Sequence, residues 1–287
     1  MLRPLLTNEH SGSTPHGTSA ADGVGTDAGG TPRIDQVLRA LFVFCLLMTL
    51  RVVARFFYRF HVRWIGEVPA KPWADVRLIA VMNHTSLYEV LWAGAVPPRL
   101  LWQQARHGVL PVAEKTARRF GVGIFFRLLA RKVLVVTRQP DMTWQAMLDA
   151  VSPRSLVVIA PEGRMKRANG LDSDGKPITV RGGIADILAG MEHGRMLIAY
   201  SGGLHHVQVP GELLPVPFRN LRMGFESVDI PTYKASLHAE ASNGSFKAAI
   251  VEDLTWRRDN YCTNDPVEFA KVPEASPGSP GKTGQFR

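Results

Sequence analysis

Short apolar runs alternate with longer mixed stretches from residue 77 to residue 209. Short β-branched runs bounded by turn residues are typical of buried strands, whereas the mixed stretches have the caps and composition of helices. The predicted strands are residues 77–82, 132–137, 155–160, 196–200 and 206–209, and the predicted helices are residues 87–95, 143–150 and 182–191. Because β and α units alternate, the pattern predicts an α/β domain with a mainly parallel sheet flanked by helices.

The N-terminal part of the chain has a different pattern. Residues 40–50 are apolar apart from Thr49. Four arginines then follow at intervals of four residues: Arg51, Arg55, Arg59 and Arg63. On a helix a step of four residues advances about 40°, so these arginines would share one broad face. We therefore predict that residues 34–66 form a helical segment in the membrane interface, with the arginines at lipid phosphates.

The apolar run itself is shorter than the roughly 18 residues that a membrane-spanning helix needs. We therefore expect no ordinary spanning helix in this segment, although a shallow hairpin or an irregular span also fits the pattern. A buried helix with a solvated basic edge is the alternative interpretation.

Both ends of the chain are poor in large apolar residues. Residues 1–33 are rich in Gly, Ser, Thr and Ala, and residues 272–287 in Pro, Gly and Ser. Such segments bury too little apolar surface to offset the entropy of ordering, so we predict that both are disordered. Residues 1–33 do not resemble a signal peptide, because the first apolar run begins near Val37. Residues 67–271 are then the predicted folded domain.

Composition limits the functions that the chain can have. Its 287 residues are 45% hydrophobic, which suffices for a sizeable core and excludes global disorder. Its two cysteines exclude a disulfide framework, and there is no Cys-x-x-Cys pair for zinc. The net charge is +9, yet residues 34–140 alone hold sixteen basic and five acidic residues. This excess predicts that an anionic partner, whether nucleic acid, lipid or acidic substrate, binds within that segment.

His84 and Glu89 form the first candidate catalytic pair. They follow the predicted strand 77–82, and open α/β sheets bind their ligands at strand ends. If His84 lies in the turn before the helix, the carboxylate can reach Nδ1, fix the tautomer and leave Nε2 free to take a proton. A structural histidine with a satisfied hydrogen bond would give the same sequence.

Three further clusters could bind an anion. Residues 160–167 (APEGRMKR) follow the predicted strand 155–160 and combine turn residues with three cations, as a phosphate-binding turn does. Arg138 stands at the end of the strand 132–137, and Arg181 precedes two glycines that open a helix. A solvated basic loop is the alternative interpretation of the 160–167 cluster.

Taken in order, these four clusters resemble the motifs of the glycerolipid acyltransferases, typified by 1-acylglycerol-3-phosphate O-acyltransferase. NHTSLYE (residues 83–89) is similar to the first motif of that family, Asn-His-x4-Asp, with Glu89 at the aspartate position. APEGRMK (residues 160–166) is similar to the third motif, Phe-Pro-Glu-Gly-Thr-Arg-Ser, with Arg164 and Met165 at its threonine and arginine positions. Arg138 stands where the second motif ends in an arginine. The resemblance covers roughly residues 60–230 and implies a glycerolipid-acyltransferase-like fold.

The resemblance implies an O-acyltransferase that moves a fatty acyl group from acyl-CoA or acyl-carrier protein to a hydroxyl of a glycerophospholipid precursor, with lysophosphatidic acid as the family default. It implies that His84 is the general base and that Glu89 orients it. The residues implied in substrate binding are Asn83, Arg138, Glu162, Gly163, Arg164 and Arg167. No metal or bound cofactor is implied, because the thioester is a cosubstrate. The expected location is a membrane, with the active site facing the cytoplasm.

Two other functions fit parts of the sequence. The departures at Glu89, Arg164 and Met165 also fit a non-catalytic lipid-binding protein of the same fold. The charge alone would fit a nucleic-acid-binding protein, but no recognisable binding motif supports that function. We therefore expect an anionic membrane surface, an acyl thioester donor and a lysophospholipid acceptor as partners, and no nucleic acid.

Overall fold

A computed structural model describes residues 34–119, 121–137, 139, 141–208, 212, 214–240 and 245–272. The predictions made for residues 1–33, residues 273–287 and Arg138 fall outside these ranges.

A seven-stranded mixed sheet forms the centre of the fold. Its strands are β1 (Arg59–Trp64), β2 (Val76–Met82), β3 (Gly108–Ala113), β4 (Lys132–Val136), β5 (Leu156–Ile159), β6 (Arg195–Ser201) and β7 (Asn220–Asp229). In space they follow the order β1-β7-β6-β2-β5-β3-β4. Neighbouring strands are parallel except for β6 and β7. The predicted α/β fold with a mainly parallel sheet is therefore confirmed at this level.

Helices flank the sheet and connect its strands. They are α1 (Ile34–Phe57), α2 (Pro98–His107), α3 (Glu114–Ala117), α4 (Val122–Arg127), α5 (Met142–Asp149), α6 (Gly183–Ala189), α7 (Ile230–Glu240), α8 (Phe246–Tyr261) and α9 (Pro266–Lys271). A 3₁₀ helix, Leu87–Gly94, follows β2, and the Ser86 side chain caps it by accepting the Tyr88 N–H. The predicted helix 87–95 therefore has the correct start, although it is a 3₁₀ helix.

Both faces of the sheet are buried, which explains why its central strands are apolar on both sides. In β6, Met196, Ile198 and Tyr200 belong to one core cluster, whereas Leu197 and Ala199 belong to the other. Successive side chains of a strand point to opposite faces, so each cluster covers one face.

The predicted helical segment 34–66 is wrong after Phe57. The helix α1 ends at Phe57, and Arg59–Trp64 forms the strand β1, which pairs in parallel with β7. The premise that the apolar stretch is too short for a membrane-spanning helix is also wrong. With 24 residues, α1 is long enough and apolar enough to cross a membrane by length and composition, because one continuous helix extends past both ends of the 40–50 run.

The arginines of this region bind backbone rather than forming one stripe. Arg55 Nε donates to the carbonyl oxygen of Gly94 at 2.8 Å, and Arg51 donates to the same oxygen at 3.1 Å. Arg63, on β1, donates to the carbonyl oxygen of Val272 at 2.7 Å. Carbonyls at the end of a helix attract cations, so Arg51 and Arg55 fasten α1 to the end of the 3₁₀ helix. The single helical stripe is therefore not formed, because β1 begins at Arg59, whereas a contact of these arginines with lipid phosphates stays a prediction.

The predicted strand 206–209 is also wrong as far as it is described. Residues 205–207 form a turn, in which the Val207 N–H donates to the carbonyl oxygen of Leu204 at 2.8 Å. The turn brings residues 204–208 next to the loop that follows β2, where the Leu204 N–H donates to Thr85 Oγ1 at 2.8 Å.

Candidate active site

The loops after β2, β5 and β6 meet at one edge of the sheet. β2 lies between β5 and β6 and is parallel to both, so all three strands end at the same edge. The Lys166 N–H donates to the carbonyl oxygen of His84 at 2.7 Å, which joins the loops after β5 and β2 directly. The first and third motifs, about 80 residues apart in sequence, are therefore neighbours in space, at the position where open α/β sheets bind ligands.

His84 and Glu89 are in direct contact. His84 Nδ1 lies 2.5 Å from Glu89 Oε2, and Glu89 Oε1 accepts the Thr85 N–H at 2.8 Å. The 3₁₀ helix begins at Leu87, so its first turn carries the carboxylate back towards the preceding loop. With Nδ1 bonded to the carboxylate, Nε2 is the ring nitrogen that can exchange a proton with a ligand.

The surroundings of His84 favour its protonated form. Burial lowers the pKa of His84, but the charge of Glu89, its hydrogen bond and the charge of Glu162 together raise that pKa above 6.5. The pair therefore stabilises the imidazolium that a general base becomes once it has taken a proton.

Glu162 lies beneath the loop that carries His84. Its side chain is buried, with 1% of the residue exposed. Oε1 accepts the Asn83 N–H at 2.8 Å, and Oε2 accepts the His84 N–H at 2.7 Å. Burial raises the pKa of this carboxyl, against the opposing effect of the two N–H donors. Because both oxygens hold backbone, the contacts favour a positioning role for Glu162 over the predicted contact with substrate.

Asn83 has a structural role of the same kind. Its φ of 61° is in the left-handed region, which asparagine tolerates better than most residues. The side chain is buried, and Nδ2 donates to the carbonyl oxygen of Ser201 at 3.0 Å. Asn83 therefore turns the chain at the end of β2 and ties that turn to β6, which fixes the direction in which His84 leaves the sheet.

Gly163 and Arg164 line the cavity beside His84. Gly163 has a φ of 64°, which favours glycine, and a Cβ there would lie 3.3 Å from Arg181 Cδ. Arg164 forms ion pairs with Asp172 and, at 2.9 Å, with Asp174. Its guanidinium is thus held by two carboxylates of its own loop, which the sequence motif does not predict.

Arg167 is exposed and does not belong to the cavity wall. Its backbone closes the loop, because its N–H donates to the carbonyl oxygen of Leu171 at 2.8 Å. Of the predicted substrate-binding residues that are described, Gly163 and Arg164 therefore line the cavity, whereas Arg167 does not.

The cavity beside His84 has a volume of about 570 Å³. Its apolar walls come from both sheet and helices, and include Val81, Trp92, Leu101, Phe126 and, from α1, Leu47. Cavities of about 300–1,000 Å³ with apolar walls and a few polar groups are typical of small-ligand sites. The arrangement suits a ligand with a long apolar chain and a polar end beside His84.

Arg181 and Lys247 supply positive charge at the exposed side of this cavity. Gly182 and Gly183 make room there, because a Cβ on Gly182 would lie 2.1 Å from Lys247 Cε and one on Gly183 would lie 2.8 Å from Trp144. Lys247 Nζ also pairs with Asp186 at 2.9 Å. The Arg181-Gly-Gly sequence predicted an anion-binding feature, but Lys247 was missed because nothing in the local sequence of α8 marks it.

Within the described ranges, no cluster of three or more His, Cys, Asp or Glu residues could hold a metal ion.

No protein-family model matches the chain, and no curated protein matches it significantly. The geometry of the site and the resemblance of its motifs are therefore the basis for assigning a function.

Proposed function

We propose that this chain is a membrane-associated O-acyltransferase that moves a fatty acyl group from an acyl thioester to a hydroxyl of a glycerophospholipid precursor, in the first instance lysophosphatidic acid. The observation that carries the proposal is the His84–Glu89 pair, with Nδ1 2.5 Å from the carboxylate, at the wall of an apolar cavity of about 570 Å³. The transfer requires a general base and an apolar site that positions the acyl chain.

The reaction needs no covalent enzyme intermediate. His84 Nε2 takes the proton of the acceptor hydroxyl as its oxygen attacks the thioester carbonyl. The tetrahedral intermediate collapses, the carbon–sulfur bond breaks, and the imidazolium returns its proton to the leaving thiolate. Glu89 keeps Nδ1 protonated and stabilises the imidazolium between the two transfers.

The acceptor phosphate would bind at the exposed, basic side of the cavity. Arg181 and Lys247 line that side together with Gly182, Gly183 and Asp186, the carboxylate that pairs with Lys247. Charge-assisted hydrogen bonds from arginine and lysine suit a phosphate monoester. A role for Arg138 in the same contact stays a prediction.

The outer face of α1 supports a location at the membrane. Leu38 is 61% exposed, Phe42 57%, Val52 63% and Phe56 74%, and Thr49 is the polar residue among them. An unpartnered apolar helix face of this length suits the lipid interface. Attachment there would place the cavity, which Leu47 of α1 helps to line, beside lipid substrates on the cytoplasmic side.

A non-catalytic lipid-binding protein is the second candidate. The observation in its favour is Arg164, which stands in the third motif but is paired with Asp172 and Asp174. Such a protein would bind lipid in the same cavity without turnover and without any dependence on His84.

The test is acyl transfer by detergent-purified protein from labelled acyl-CoA and acyl-carrier protein to a panel of lysolipids. The wild type is compared with His84→Ala and with His61→Ala, a control at an exposed histidine on β1. We expect His84→Ala to lower the rate by roughly 10²- to 10⁴-fold and His61→Ala to leave it unchanged. Equal rates in all three would refute the role of His84. Lipid binding without turnover in any of them would favour the second candidate.

A further inference from the structure

A second cavity lies at the amino-terminal ends of β2 and β6, whereas His84 follows the carboxyl-terminal end of β2. It has a volume of about 700 Å³ and is bordered by the residues that lead into β2 and β6 and by one side of α2. His84 follows the far end of β2, and the 7 residues of that strand separate the two sites by roughly 20 Å. A ligand in this second cavity therefore cannot take part in proton transfer at His84.

The second cavity is strongly basic. Five arginines line it: Arg77, Arg99, Arg106, Arg154 and Arg195. Its lining contains only two carboxylates, Asp75 and Asp229. Asp229 already accepts hydrogen bonds from the N–H and the hydroxyl of Thr232, at 3.1 and 2.7 Å. The walls of the cavity therefore carry a net positive charge, and a concave basic surface concentrates anions.

Arg77 forms the buried part of this wall. Only 7% of the residue is exposed, and its guanidinium donates to the carbonyl oxygens of Ser155 and Ser152, at 2.9 and 2.8 Å. A third contact, 3.2 Å long, joins it to His193 Nε2. Both serine partners are backbone carbonyls, and no ion pair of Arg77 occurs among the described residues. A buried cation without an anion is unfavourable, so a bound anion would stabilise it.

The remaining arginines could reach the same ligand from the rim. Arg99, Arg106 and Arg154 are exposed: the first two lie two turns apart on α2, and Arg154 lies in the loop before β5. Arg106 lies over the ring of Trp102, 5.8 Å from its centroid, so an aromatic surface stands beside the cations. Several guanidinium groups at one opening can donate to the several oxygens of a phosphate.

We propose that this second cavity binds a phosphate-bearing anion, as a site separate from the one at His84. The phosphate could belong to a lipid headgroup or to a soluble molecule, because the recognising chemistry is the same. Trp102 packs against Phe44 of α1 with ring centroids 5.2 Å apart, so a headgroup at the membrane surface would be within reach of the cavity.

The test uses the full chain in detergent and measures binding alone, so its outcome does not depend on acyl transfer. Inorganic pyrophosphate is the soluble probe, and binding is measured by calorimetry. Vesicles of phosphatidylcholine with or without phosphatidylglycerol are the lipid probe, and binding is measured by flotation. The variant Arg99→Ala/Arg106→Ala/Arg154→Ala is compared with Lys115→Ala/Lys176→Ala/Lys271→Ala, which removes three exposed charges elsewhere.

We expect the triple arginine variant to bind at least one probe roughly a hundredfold more weakly, and the lysine control to bind like the wild type. Loss of pyrophosphate binding would identify a soluble phosphate, whereas loss of only the phosphatidylglycerol-dependent binding would identify a headgroup. Equal weakening in both variants would show a non-specific charge effect and overturn the proposal. Failure of the wild type to bind either probe would also overturn it.

Discussion

Two carboxylates hold His84, each through a different part of the residue. Glu89 contacts the ring at Nδ1, whereas Glu162 accepts the backbone N–H. The first contact fixes the tautomer of the ring and the second fixes the loop. Loss of the first contact should therefore have a different measurable effect from loss of the second. Activity and its pH dependence report on Glu89, and stability reports on Glu162.

The pH dependence of acyl transfer should reveal the contact with Glu89. The base must be neutral to take a proton, and the pKa of His84 is raised, so kcat/KM should rise with pH through a midpoint above 6.5. Glu89→Gln removes the charge that raises this pKa. Its midpoint should therefore move to lower pH, while the plateau falls by roughly 10²- to 10⁴-fold because the ring is no longer held in one tautomer.

Glu67→Gln is the control for that experiment, because Glu67 is an exposed carboxylate outside the site. It should reproduce the profile of the wild type. An unchanged midpoint in Glu89→Gln would contradict the role given to this carboxylate.

Glu162→Gln should destabilise the fold. The amide keeps one acceptor but turns an N–H₂ group towards a backbone N–H donor in a buried place. We expect a loss of about 1–3 kcal/mol in the free energy of unfolding, together with slower acyl transfer. Denaturant unfolding of the variant, the wild type and the exposed control Glu192→Gln measures this loss. A variant as stable as its control would show that the two hydrogen bonds do not hold the loop.

Local sequence patterns predicted the strands whose own residues are sufficient to determine their conformation. β2, β5 and β6 are apolar runs and were found within one or two residues of their ends. β1 was missed because its arginines continue the spacing of the helix before it, and only pairing with β7 makes it a strand. β3 was missed because Pro111 argues against a strand.

The candidate site likewise contains contacts that the local sequence predicts and contacts that depend on the packing of distant segments. The contact between His84 and Glu89 could be predicted, because five residues and one turn connect them. The contacts of Glu162 with the loop after β2, and the presence of Lys247 at the cavity, depend on how distant segments pack. The pairing of Arg164 with Asp172 is local, but no known motif signals it.

The two faces of α1 should behave differently when mutated. Leu38 and Phe42 are exposed, so Leu38→Ser/Phe42→Ser should leave the fold intact. If this face lies in lipid, the double variant loses about 1.5–3 kcal/mol for each side chain, and vesicle binding should weaken at least a hundredfold. Flotation with vesicles measures this, and Met142→Ser/Val267→Ser, at two other exposed apolar positions, is the control. Equal loss in both would show that α1 is not the membrane contact.

At the scale of the whole molecule, α1 is part of the folded structure as well as a candidate for membrane contact. Its inner face packs Val43 and Leu47 against Leu101, Ala105 and Leu129. Leu47 also lines the cavity at His84. A simple anchor joined by a linker would have neither contact, so the domain should depend on α1 for its own stability.

Removal of residues 1–57 should therefore fail to give a stable soluble domain. The truncation exposes the apolar surface around Leu101 and Leu129, and each large side chain returned to water costs about 1.5–3 kcal/mol against a total stability of about 5–15 kcal/mol. We expect aggregation without detergent and a lowered Tm with it, measured by size-exclusion chromatography and thermal unfolding. Removal of residues 1–33 deletes no described residue and is the matched control. A monodisperse 58–287 fragment with the Tm of that control would show that α1 is only an anchor.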